Sequence, residues 1–339
     1  MSDGCQRGER VGGLSRKATK SRRRSPPAAL RRVKPAKLCA GLAVALAAAS
    51  AHAQDDGPRV YQLAPLGAKT FTTFAVVKRG NETPESGDVV LGSKINTNIV
   101  VFRYAQTFSL GGRQLNPFMI LPVGKVHSIV RQAGATIENG SSGLGDAQIG
   151  VVLGLFGSPA LTPEAYAAFR PRLSSGLLAR VFFPTGAYSA AKPVNFGANR
   201  FSYQLGLPTT FVFGQSYLDP SLTALEILPT ITFYDANTSP FGATRVAKAP
   251  QFSVESHLTR NLGRAVWLSA DMLYRQGGET TTDGEPDHNA TQGWSAGMTA
   301  AFRLAPMATV ILTYEHVVER NDNGPNGWFF RTALVVPLR

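Results

Sequence analysis

Strand-like segments recur along this chain at a length that few soluble sheets use. They cover residues 69–78, 94–108, 114–122, 145–156, 172–183, 200–213, 221–234, 250–260, 264–275, 292–304, 307–319 and 328–338, and most run 10–14 residues. Strands of soluble proteins centre near about 5–6 residues, whereas a tilted strand crossing a bilayer needs about 9–11. The segments alternate with period two, most plainly toward the C-terminus. In VWLSADMLYR (266–275), Val266, Leu268, Ala270, Met272 and Tyr274 share one face, and Trp267, Ser269, Asp271, Leu273 and Arg275 share the other. Likewise Trp294, Ala296, Met298, Ala300 and Phe302 oppose Ser295, Gly297, Thr299, Ala301 and Arg303. Aromatic residues gather near segment ends (Tyr274, Trp294, Phe302, Trp328, Phe183, Phe211, Phe213), as in the interfacial girdles of membrane barrels. The expected fold is all-β: a transmembrane antiparallel β-barrel of about 12 strands, its oily register toward lipid and its polar register toward a lumen. Closure removes the edge strands that would otherwise aggregate. A soluble β-sandwich is the competing architecture.

The connections alternate as well. Counted from a periplasmic N-terminus, the outer ones are 79–93, 123–144, 184–199, 235–249, 276–291 and 320–327, mostly long and rich in Gly, Asn, Asp and Pro. The inner ones are 109–113, 157–171, 214–220, 261–263 and 305–306, mostly short. The exception is SPALTPEAYAAFRP. Thr162 as N-cap, Pro163 at the first helical position and Pro171 as a stop predict a short helix at 163–169.

The N-terminus carries a basic run, SRKATKSRRRSPPAALRRVKPAKL, then the apolar LCAGLAVALAAAS, then AHAQDD. This is the n-region, h-region and A-x-A site of a signal peptide over residues 1–53, cut between Ala53 and Gln54. Residues 54–339 then form a single outer-membrane barrel domain. The long n-region also fits an over-long gene model, with Val33 as the true start. Residues 1–53 hold 12 Lys+Arg against 2 Asp+Glu, so of the net charge of +13 only +3 belongs to residues 54–339. The basic balance is therefore no sign of a nucleic-acid partner. Cys5 and Cys39 both lie in the leader, which leaves the rest without disulfides or thiol chemistry. No run of 18 apolar residues occurs after it, so no membrane helix is expected.

Catalytic signatures were sought alongside these. His127, His257, His288 and His316 show no metal-ligand spacing, and no Walker A motif occurs. GLGDAQIG (143–150) leads into a strand rather than a helix, which does not suit a phosphate cradle. No enzyme activity, metal or cofactor is expected. The polar register says more. Arg180, Glu226, Glu255, Asp271, Arg303, Glu315 and Arg331 all lie opposite the oily face. An Arg or Lys facing lipid at mid-depth costs about 2–4 kcal/mol, so these charges should line the lumen. There they form either a selectivity lining or a ladder that stiffens or plugs a narrow barrel.

Four stretches, GLGDAQIGVVLGL (143–155), FFPTGAY (182–188), NFGANRFSYQLGLPTTFVFG (195–214) and ITFYDANT (231–238), resemble the outer-membrane transporter family assigned to the meta-pathway of phenol degradation. The resemblance implies an outer-membrane barrel that passes small hydrophobic or aromatic compounds, with membrane lipid and the barrel insertion machinery as partners. It places Pro184, Gly186 and Tyr188 where a strand turns into an outer loop, and Gly145 and Asp146 where another loop enters a strand. Together these five should shape the extracellular mouth. One departure is the ending VVPLR, where barrels of this class finish on an aromatic residue. The lumen of a twelve-stranded barrel lies between a filled eight-stranded and an open sixteen-stranded one, so it should be narrow or plugged. Two other functions fit the same fold. One is a lipase-like outer-membrane hydrolase using Ser256/His257 or His316 at a rim; the other is a structural or binding barrel that conducts nothing.

Overall fold

The computed structural model describes residues 56–84, 87–132, 135–305 and 308–338; the expected leader, 1–53, and Val33 within it lie outside the described residues. In chain order the elements are β1 (Lys69–Gly80), β2 (Ser93–Gln106), β3 (Phe108–Leu110), β4 (Arg113–Gln132), β5 (Ala135–Leu144), β6 (Gln148–Phe156), helix α1 (Pro163–Ala168), β7 (Leu173–Phe182), β8 (Ser202–Gly206), β9 (Thr209–Phe213) and β10 (Thr223–Tyr234). There follow β11 (Val246–Lys248), β12 (Gln251–Asn261), β13 (Val266–Gly277), β14 (Thr280–Thr282), β15 (Glu285–Pro286), β16 (Thr291–Ala305), β17 (Ala308–Arg320) and β18 (Gly327–Leu338).

Long antiparallel pairings join β1 to β2, β2 to β4, β4 to β6 and β6 to β7, and continue through β10, β12, β13, β16, β17 and β18. β18 pairs back onto β1 from Lys69↔Leu338 to Gly80↔Gly327, which closes the ring. β8 and β9 are two halves of one wall strand between β7 and β10, interrupted at Leu207–Pro208 because proline has no N–H to give the ladder. The wall is thus a closed 12-strand antiparallel barrel. Both ends of the wall, Lys69 and Leu338, lie at one rim, called here the terminal end; the opposite rim is the loop end.

Each segment expected as a strand corresponds to a wall strand, within a few residues at its ends. One expectation is corrected. Residues 123–144 are not a loop: β4 runs on to Gln132, and β5 pairs with it from Val123↔Leu144 to Gln132↔Ala135. This hairpin was hidden because most of β5 is exposed, so no oily register marks it. The predicted helix is present, with Thr162 Oγ1 accepting from Ala165 N at 3.2 Å and Pro163 opening the first turn.

Burial runs opposite to that of a soluble protein. On β16, Met298 is 70% exposed and Thr299 is 2% exposed; on β13, Met272 is 45% exposed and Asp271 is 4%. Phe102, Met119, Leu121, Ile149, Leu205, Phe233, Phe252 and Leu268 all stand on the outside. Such a continuous oily exterior has lipid as its solvent. Tyr274 packs against Trp294 at 4.5 Å at the loop end and Tyr314 against Trp328 at 6.3 Å, while Phe71 and Phe102 stack at 6.1 Å toward the terminal end. From Trp294 to Phe302 the strand rises ~26 Å at ~3.3 Å per residue, or ~20 Å of depth at ~40° tilt, close to the ~25 Å band of an outer membrane.

Candidate functional site: the barrel lumen

The lumen is occupied by the chain's own residues 56–66. The segment enters at the terminal end, where Leu66 N donates to Leu161 O at 2.7 Å, and reaches the middle of the barrel. Carboxylates of the wall hold its backbone: Arg59 N donates to Glu226 Oε2 at 2.7 Å and Asp56 N to Glu255 Oε2 at 3.2 Å. Its side chains are held too. Gln62 Nε2 donates to Glu226 Oε1 at 2.5 Å, and the Arg59 guanidinium bonds Asn261 and Thr259 while lying 4.5 Å from the centre of the Trp267 ring. Arg180, from β7, donates to Asp56 Oδ2 at 2.6 Å and to the Tyr61 hydroxyl at 2.7 Å. Leu63 packs with Val212, Tyr217, Leu222 and Ala224, against Tyr166 and Phe169 at the end of α1.

The charged residues singled out in the sequence fall into distinct places. Arg180, Glu226 and Glu255 anchor the inserted segment. Asp271 is the centre of a wall network: it accepts from Thr299 and Ser269 at 2.5 Å each and is bonded to His257 Nδ1 at 2.8 Å. Glu315 lies nearer the loop end, in a small cavity wall it shares with Lys78, Glu82 and Arg275. Arg331 faces the inserted segment with its guanidinium against Gly57, whose φ of +82° favours glycine. Arg303 stands apart, exposed at the terminal rim beside Asp219 and Arg264.

Sequence reading missed other members. Glu82 pairs with Lys78 and with Arg275, the latter at 2.6 Å, and all three are buried. Asp88 bridges Arg200 at 2.9 Å and Lys248 at 2.6 Å. Adjacent Lys78 and Arg79 look alike in sequence; only the register of β1 turns the first inward. Nothing in residues 56–66 carries a periodicity, so the inserted segment had no signal.

At the loop end the five residues predicted to form a mouth come together in part. The Asp146 carboxylate accepts from Gly186 N at 2.8 Å and from Ala198 N at 2.9 Å. Burial pushes this carboxyl up from its ordinary range, and the two N–H donors pull against that. A Cβ at Gly186 would lie 2.6 Å from Gly197 Cα and 2.7 Å from Asp146 Oδ1, so only glycine fits. Gly145 N donates to Pro122 O at 2.9 Å. Tyr188 links to the next connection, donating to Ser239 O and accepting from Asn237, each at 2.8 Å. Pro184 is exposed and takes no part in this clamp. The stretches GLGDAQ, FFPTGAY and NFGANR therefore meet at one point in space. Val194 and Phe196, from the same connection, are fully buried below it.

Space in the lumen is uneven. Beside the inserted segment lies a cavity of about 340 Å³, walled by Tyr61, Phe74, Phe118, Trp267, Arg103 and Arg331 among others. A second, of about 430 Å³, opens by Arg303 at the terminal rim. A third, of about 220 Å³, lies among the loops by Tyr188, Lys192 and Arg200. Between them the cavities shrink to about 20 and 30 Å³, around Lys78/Glu82/Arg275 and around Gln204/Thr232. A cavity of ~150 Å³ admits a benzene, so an aromatic ring crosses this layer only if side chains move.

The residues weighed for a hydrolase are not assembled. Ser256 and His257 are neighbours on one strand and so point to opposite faces, His257 into the wall network. His316 is exposed. Among the described residues no group of three His, Cys, Asp or Glu is placed to hold a metal ion.

A closed barrel with an oily exterior, a polar interior and girdles of aromatic residues is a β-barrel of the outer-membrane class. Residues 79–331 match the model of the family described as "Putative MetA-pathway of phenol degradation", and the chain belongs to that family. Among solved structures, an outer-membrane channel of Pseudomonas putida F1 superposes with a TM-score of 0.68 at 19% identity, covering 84% of this chain and 100% of that one. The transport unit of the autotransporter AIDA-I from Escherichia coli gives 0.44 at 8% identity over 85% and 93% of the two chains. The β domain of the Bordetella autotransporter BrkA gives 0.41 at 9% over 80% and 100%. The first of these shares the fold; the other two are too distant to carry an argument. No curated protein matches the sequence.

Proposed function

We propose that the protein is a passive channel of the outer membrane for small hydrophobic or aromatic compounds. The observation that carries this reading is a lumen cavity of about 340 Å³, large enough for a single ring and walled by Phe74, Phe118, Tyr61 and Trp267, inside a barrel whose outer face meets lipid. A stacking contact contributes only about 0.5–1.5 kcal/mol, which suits a site that a solute must leave as readily as it arrives. In this reading residues 1–53 direct export and are removed, and the insertion machinery assembles the barrel with its terminal end toward the periplasm. Asp146, Gly186 and Tyr188 then shape the extracellular side. Arg180, Glu226, Glu255, Asp271, Glu315 and Arg331 line the path, with Arg303 at its periplasmic rim. The inserted segment limits flow, and passage follows its displacement. No nucleotide or redox cofactor enters the mechanism, since the gradient supplies the driving force.

The test is flux of toluene and phenol into proteoliposomes holding residues 54–339, beside a form lacking 54–66. The reading expects a measurable flux that rises on deletion. A second reading, a non-conducting structural barrel, is favoured by the narrow layer of 20–30 Å³ cavities. Absence of flux in both forms would select it.

A further inference from the structure

We infer that the 340 Å³ cavity is a binding site for a single-ring aromatic carboxylate, with the Arg103 guanidinium as its anion receptor. This rests on the channel reading and names the solute class. Arg103 projects from the inward register of β2, half-buried. Among the described residues it has no hydrogen-bond or ion-pair partner; its guanidinium lies 5.0 Å from the centre of the Phe118 ring. The nearby carboxylate that would neutralise it, Asp56, is already taken by Arg180 and Tyr61. A guanidinium presents five N–H donors in a planar fork matched to a carboxylate. Arg59 and Arg331 border the same cavity, beside Asp56.

The rest of the wall specifies what should carry that negative charge. Phe118 lies between this guanidinium and that of Arg180, 5.2 Å from the ring centre, and Phe74, Ala105, Ile311 and Val335 complete an apolar floor. Two residues from Phe118 along β4, and so ~7 Å away on the same face, stands Asn116. Its amide donates to Thr107 at 2.9 Å, while its oxygen is buried without a hydrogen-bond partner among the described residues. The order along the wall is therefore cation, aromatic face, unsatisfied amide. That order matches a benzoate whose ring carries a hydroxyl opposite the carboxylate. A neutral hydrocarbon would leave both polar groups unanswered, and a small anion would leave the apolar floor uncovered.

The experiment is calorimetric titration of the folded barrel, residues 54–339 in detergent, with 4-hydroxybenzoate, benzoate, benzyl alcohol and acetate. Each titration is corrected against detergent alone. The inference expects benzoate to bind at least about tenfold more tightly than benzyl alcohol or acetate, the worth of one charge-assisted pair. It expects 4-hydroxybenzoate to bind more tightly still. Arg103→Met should bring benzoate down to the level of benzyl alcohol, and Arg103→Lys should restore part of the gap. Equal binding of benzoate and benzyl alcohol by the unaltered protein would overturn the site, whatever the variants do. Equal binding of benzoate and acetate would leave an anion site only and overturn the aromatic assignment. No gain from the ring hydroxyl would remove Asn116. Toluene flux in proteoliposomes is read separately: its absence sinks the channel reading while leaving the titration intact.

Discussion

Met298 offers the sharpest test of which side of this barrel is wet. It stands on the outer face of β16, 70% exposed, four residues from Trp294 and four from Phe302. At ~3.3 Å per residue and ~40° tilt it lies ~10 Å in depth from each girdle, at the middle of the hydrocarbon. Met298→Arg should destabilise the folded barrel by about 2–4 kcal/mol, a shift of about 30- to 900-fold in the unfolding constant. Gln292 shares the same face but lies beyond Trp294 at the loop end, where its amide donates to Tyr274 at 3.2 Å. Gln292→Arg should cost only about 0–1 kcal/mol, because an arginine at the interface reaches water. The assay is reversible denaturant unfolding in phosphatidylcholine vesicles, followed by tryptophan fluorescence. An exposed methionine on a water-facing surface would tolerate arginine within about 0.5 kcal/mol. Equal costs for the two variants, or a cost below that level at Met298, would refute the lipid-facing assignment.

Other consequences follow from the lumen and the loops. Asp271→Leu strips His257, Ser269 and Thr299 of a shared buried acceptor and should lower stability by about 3–5 kcal/mol in the same unfolding assay. Glu226→Gln weakens the anchors of Arg59 N and Gln62; with about 1.5–3 kcal/mol at stake, the open fraction in single-channel records should rise about tenfold or more. Gly186→Ala drives a Cβ toward Gly197 and Asp146, and should cost about 1–3 kcal/mol and expose connection 183–201 to protease. At the loop end, hydrogen bonds from the Thr244 hydroxyl and then from Arg245 N hold the Asp283 carboxyl below its usual range. A depressed carboxyl stabilises above its unfolded value and loses that contribution as pH falls through the folded one. The protection factor for hydrogen exchange at residues 244–245, corrected for the intrinsic rate at each pH, should therefore hold at pH 7 and fall below about pH 4, and Asp283→Asn should abolish that dependence.

The wall was legible because each of its strands separates two solvents. Lipid on one side and a polar lumen on the other impose period two on every segment, and the bilayer sets its length. This is why Asp271 and Met272, or Thr299 and Met298, could be sorted by register alone. The short helix was legible for another reason, since Thr162 and Pro163 act on their own backbone. β5 was not: it is paired but mostly exposed on both faces, so burial leaves no mark on its sequence. Arg303, on the polar register of β16, lies so near the rim that it is exposed.

By itself, then, the amino-acid order determined a membrane barrel and the side that most wall-strand residues take, because those depend on neighbours two to four residues away. What fills the barrel was decided only in three dimensions. Asp56 meets Glu255 across 199 residues of sequence and Arg59 meets Glu226 across 167. Among the described residues Arg103 has no counter-ion of its own, because Asp56 bonds Arg180 and Tyr61. Contacts between charges on different strands depend on how the ring closes, and no local pattern encodes which carboxylate will face which arginine.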